Sequence, residues 1–93
     1  MKKYLILAFA LLAAAPASAE CYADYKAKQE SPLRLHYGVI QIPDSACSTS
    51  AAASVIAGRI NAGGWQLLDV VSVFDSSGLA SRSGEAGDYY LRY

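Results

Sequence analysis

The sequence predicts an α+β domain in which an antiparallel sheet packs on one helix. Three features of its 93 residues point there. Two alternating segments flank the turn signal Glu30-Ser31-Pro32. An alanine-rich stretch with three- and four-residue apolar spacing ends at Gly63-Gly64. A strongly apolar run, Trp65 to Phe74, follows it. The predicted order is β-β-α-β-β, preceded by a segment that carries an address rather than a fold.

That segment is residues 1–19. Lys2 and Lys3 precede an apolar run from Tyr4 to Ala15, and Ala17-Ser18-Ala19 supplies the small residues that a signal peptidase requires. The layout is that of a secretory signal peptide cut before Glu20, leaving residues 20–93 as one small domain. Its apolar run has about twelve residues, whereas crossing a bilayer takes roughly twenty, so no permanent membrane anchor is expected. Because Glu20 stands before Cys21, the small residue that precedes a lipidated cysteine is missing.

Cys21 and Cys47 both fall in the mature part. An even cysteine count in a short exported chain reads as a disulfide, and two cysteines allow one intramolecular pairing. Closing a loop of about 25 residues contributes roughly 3.5 kcal/mol on the chain-entropy model. A domain this small buries only about 60% of its unfolded surface, so such a staple matters. The wide spacing does not match the C-x-x-C of redox sites.

In the first strand, Tyr22 to Gln29, Tyr22, Asp24, Lys26 and Lys28 point one way, and Ala23, Tyr25 and Ala27 the other. The second strand, Leu33 to Ile42, changes its apolar phase after Gly38, which predicts a β-bulge there. Asp44, Ser45 and Ser48 are competent N-caps for a helix running to about Ala62, with Val55, Ile56 and Ile60 on its buried stripe. Trp65 to Phe74 is apolar on both faces, predicting a central strand or a bulge midway. Asp75 to Asp88 reads as a long loop, and Asp88 to Tyr93 as a closing strand.

The stretch Ile60-Asn61-Ala62-Gly63-Gly64-Trp65-Gln66-Leu67-Leu68-Asp69-Val70-Val71, with the later Tyr89-Tyr90-Leu91-Arg92, resembles a family of small bacterial proteins known only as a domain of unknown function. In that family a helix ends in a Gly-Trp-Glu-Leu-Val motif, and a tyrosine-rich strand closes the domain. Gln66 stands where the family usually has Glu. The resemblance implies a compact α+β fold and carries no catalytic residue across. Trp65 is expected in the core, starting the strand that returns from the helix end.

Chemistry is sparse. The full chain has eight basic and eight acidic residues, and losing Lys2 and Lys3 leaves a small acidic excess. That balance argues against nucleic acid as a partner. His36, the only histidine, is expected at the surface or half-buried, with no local partner for catalysis. Asp69 is expected to face solvent or pair with Lys26 or Arg92. The serines form no nucleophile elbow, the glycines no phosphate loop, and too few ligands exist for zinc. No cofactor, metal site or catalytic residue is expected.

The remaining signal is tyrosine beside arginine, the chemistry of interface anchors. Tyr22, Tyr25, Tyr37, Tyr90 and Arg92 are the candidate interaction surface. The expected function is a non-enzymatic binding or protein-interaction module, working in the periplasm or secreted from the cell. Its partner would be a protein or small ligand of the cell envelope. The alternatives are a small hydrolase or enzyme accessory factor using His36 and Asp69, and a self-assembling structural subunit, hence a homo-oligomer.

Overall fold

The computed structural model describes residues 20–93, so the expected leader, residues 1–19, lies outside the described residues. The α+β class is as expected. β1 (Cys21–Gln29), β2 (Arg34–Ile42) and β3 (Gln66–Phe74) form one antiparallel sheet in the order β2-β1-β3. Helices α1 (Thr49–Asn61) and α2 (Ala80–Ala86) complete the domain. The β1–β2 turn contains a cis peptide between Ser31 and Pro32.

β1 alternates as its sequence requires, but it is the central strand and both of its faces are covered. Ala23, Tyr25 and Ala27 point into the main core with Ile40, Ile42, Ala52, Ile56, Ile60 and Trp65. Tyr22 and Asp24 are also buried, on the opposite face. Helix α1 supplies Ala52, Ile56 and Ile60 from one stripe, with Val55 packed at its border. Its cap is Ser48, whose Oγ accepts from the Ala51 amide at 3.2 Å. Gly64 ends the helix at φ +83°, a conformation that favours glycine. The Trp65 amide then donates to the Ile60 carbonyl at 3.1 Å, and Trp65 enters the core as expected.

The bulge expected at Gly38 is not there: β1 and β2 pair without a register shift from Cys21↔Ile42 to Gln29↔Arg34. Gly38 instead makes room for a ring, since a Cβ at that position would lie 2.5 Å from the Tyr25 hydroxyl. The phase change has another cause. Ile40 and Ile42 face the α1 core, whereas Leu35, Tyr37 and Val39 lie on the other side of the sheet. Bulges occur in the β1–β3 pairing, between Asp24 and Tyr25 and between Lys26 and Ala27. They leave Val71 and Leu68 without partners in β1 and exposed, while Leu67, Val70 and Val73 pack against the core. Apolar residues on both faces of β3 therefore mark a bulged edge strand rather than a central one.

The C-terminal third departs furthest from expectation. Asp75 to Asp88 is not a loop but a 3-10 turn, Ser76–Gly78, followed by α2. The Asp75 carboxylate accepts from the Ser77 amide at 2.9 Å to start that turn. The closing strand is reduced to one parallel bridge, Val39↔Tyr90, because Leu91 takes a left-handed φ of 56° and ends the pairing. The order is thus β-β-α-β-α, with two helices rather than one. No helix among the described residues is long and apolar enough to cross a membrane.

Candidate functional site

The disulfide joins Cys21, the first residue of β1, to Cys47, just before the Ser48 cap, with Cα atoms 5.9 Å apart. It ties the sheet to the start of α1, as the sequence predicts. The five residues expected to form an interaction surface do not share one. Tyr25 is 1% exposed and lies under α1, whereas Tyr22 and Tyr37 stand on the opposite face. Tyr22 is buried as well; Tyr90 is half-buried at its bridge with Val39. Arg92 alone is exposed, 5.6 Å from the Tyr89 ring and 6.0 Å from the Tyr93 ring. The tyrosines are consumed by packing because both faces of the sheet are covered.

One group of rings surrounds His36, which is 8% exposed and therefore not the surface histidine expected. Its register opposite Ala27 turns it toward the α1 side of the sheet. The imidazole stacks on Tyr89 at 3.7 Å and 7°, meets Trp65 edge-on at 4.2 Å, and shares a hydrogen bond with Tyr25 Oη through Nε2 at 2.9 Å. Nδ1 is buried with no partner among the described residues. Burial, and then the nearby Arg92 guanidinium, lower the His36 pKa from 6.5 to about 4. Burial likewise pushes the Tyr25 hydroxyl well above its ordinary value.

A second group, on the other face, was not legible in the sequence. Asp24 is 4% exposed. It accepts from Tyr37 Oη at 2.8 Å, Ser72 Oγ at 2.7 Å and Arg82 Nε at 3.1 Å. Burial opposes its charge, but those hydrogen bonds and the guanidinium outweigh it and hold the carboxyl below its ordinary value. Burial, together with the Asp24 bond, raises Tyr37 to about 12. Arg82 also lies 3.9 Å over the Phe74 ring, so one side chain fastens α2 to the sheet.

Beyond that fastening, the same face is open. Leu33 and Leu35 are each 66% exposed and Leu68 50%. Leu35 and Leu68 wall a depression of about 370 Å³ with Lys26, Ala27, His36 and Tyr37. Asp69 sits opposite Lys26 in the sheet and is exposed, one of the two placements expected for it. His36 and Asp69 are not brought together: the first belongs to β2 on the α1 side, the second to β3 across the central strand. Among the described residues no three His, Cys, Asp or Glu side chains are grouped as metal ligands. The chain matches no family model, no curated protein and no solved structure.

Proposed function

We propose that this chain is an exported, non-enzymatic interaction domain that meets a partner protein of the cell envelope through the leucine-lined end of its sheet. The observation that carries this reading is the exposure of Leu33, Leu35 and Leu68 on a face whose other half is covered by α2. Large side chains left in water at one end of a covered face cost solvation that a partner removes, about 25 cal/mol per Å2 of apolar area. Lys26 at the margin gives the depression a cationic rim. The β3 edge is the weaker docking surface, because its two bulges interrupt the flat ladder a strand would need.

Export is supported by the leader-like residues 1–19 and by a disulfide suited to an oxidising compartment. Bacterial origin and a place in the family with the Gly-Trp motif rest on the resemblance alone. The test is photo-crosslinking of the oxidised protein in intact cells, with the probe at Leu35 or Leu68 and a control at Ala57, which is exposed on α1. One discrete protein adduct from the leucine positions and none from Ala57 is expected. Adducts only with a second copy would turn the reading to self-assembly. Indiscriminate or absent adducts at all three positions would overturn it.

A further inference from the structure

The last seven residues, Gly87 to Tyr93, have the composition of a strand and do not form one. They cross the outer edge of β2 and touch it by a single backbone bond, Leu91 N–H to the Val39 carbonyl, at 2.8 Å. The segment has positive φ at its first residue, Gly87 (53°), and again at Leu91 (56°). For leucine this conformation is unfavourable, and its side chain is left exposed. What holds the segment is therefore its rings. Tyr89 lies flat on His36 at 3.7 Å, and Tyr93 packs where Gly63 leaves room, 2.7 Å from the position a Cβ would take.

We propose that Gly87–Tyr93 is a displaceable strap, latched over the β2 edge by the neutral His36 ring and released when that ring takes a proton. Release would free the Val39 carbonyl and uncover the rings of Trp65 and Tyr25. The latch lies on the α1 side of the sheet and needs no partner at the leucine face, although His36 also lines the depression there.

Burial under the groups packed on it, together with the Arg92 guanidinium, is what disfavours charge on His36. From β1 comes the Tyr25 hydroxyl; from the strap come Tyr89, Tyr93 and the Arg92 guanidinium. Trp65 meets it edge-on, and Arg34 lies 5.9 Å over that indole. Among the described residues no carboxylate contributes to holding a proton there. Opening the strap returns the imidazole toward water and its ordinary pKa, so acid favours the open form. With a closed-state pKa of about 4, the closed-to-open ratio at pH 5 falls roughly 30-fold from its neutral value.

The test is hydrogen exchange of the oxidised protein at pH 7.5 and pH 5, corrected for the intrinsic rate at each pH. The Leu91 amide is expected to lose protection roughly 30-fold at pH 5 and to be less protected than β1 amides at both pH values, because the strap opens without the sheet. His36→Phe, which retains a flat ring for Tyr89 but cannot titrate, should abolish the pH dependence. Tyr89→Ala should leave Leu91 unprotected at both pH values. Equal protection of Leu91 at the two pH values, or protection of Leu91 as high as that of β1, would overturn the proposal. Should His36→Phe fail to fold, the unmodified protein still decides, because its one histidine gives unambiguous imidazole resonances. Their midpoint must fall below 6.5 and coincide with that of the Tyr89 ring; a midpoint at 6.5 or above, or two separate midpoints, sinks the latch.

Discussion

Asp24 and His36 are buried polar residues on opposite faces of one small sheet, and they respond to pH in the same direction for different reasons. The folded pKa of Asp24 lies below its unfolded value, so its stabilisation is present above pH 3.8 and fades as pH falls through the folded pKa. The His36 pKa is lowered too, from 6.5 to about 4, so the unfolded chain binds more protons between those values. Its contribution is complete above pH 6.5 and is lost on descending toward pH 4. Stability of the unmodified protein should therefore decline across that upper window, and His36→Phe should flatten the decline there while leaving the deeper acid loss from Asp24. Denaturation midpoints measured from pH 7.5 to pH 3 check both halves. Replacing Asp24 with Ala removes the carboxylate that Tyr37, Ser72 and Arg82 address. It should cost about 3 kcal/mol by urea denaturation at pH 7, since a guanidinium and two hydroxyls lose their acceptor.

The elements whose order comes from local pattern were readable, and those fixed by distant contacts were not. The β1–β2 hairpin, the Ser48 cap, the Gly64 stop and the burial of Ile56, Ile60 and Trp65 follow from spacing and from residues beside them in the chain. Helix α2 was hidden because its tie to the sheet, Arg82 to Asp24, spans 58 positions and only Leu79 near it is large and apolar. The closing segment misled for the converse reason. Its alternation suits a strand, but the backbone turns left-handed at Leu91 and the rings are spent on His36. The candidate surface failed on the same ground: a set of tyrosines does not say which face α1 or α2 will cover. Two glycines separate these influences by experiment. Gly58 lies inside α1, and a Cβ added there would meet nothing within 4 Å, so Gly58→Ala should stabilise by about 1 kcal/mol in thermal or chemical denaturation. Gly38→Ala meets the Tyr25 ring and should destabilise by roughly 1–3 kcal/mol. Equal effects of the two would mean that intrinsic backbone preference, not ring packing, sets the need for glycine at position 38.

At the scale of the whole molecule, the disulfide couples the sheet to the main helix. It joins the first residue of the central strand to the lead-in of α1, across a separation of 26 residues. Ile56 and Ile60 of α1 share one core with Ala23, Tyr25 and Ala27 of the strand that begins at Cys21, so an unfolded chain with this link already has two parts of its core near one another. The contribution expected from restricting that loop is about 3.5 kcal/mol, a large share of what a domain of this size possesses. Denaturation of the oxidised protein, of the reduced protein and of Cys21→Ser should show the second and third less stable than the first by about that amount and similar to each other. The same quantity connects folding to place. With the staple absent the domain should sit near its unfolding midpoint, so a chain lacking residues 2–19 and kept in a reducing cytosol should be degraded several-fold faster than the chain that carries them, by pulse-chase in the same cells. A chain lacking residues 2–19 that accumulates fully and stays folded while reduced would show that the core alone suffices and that folding does not depend on an oxidising compartment.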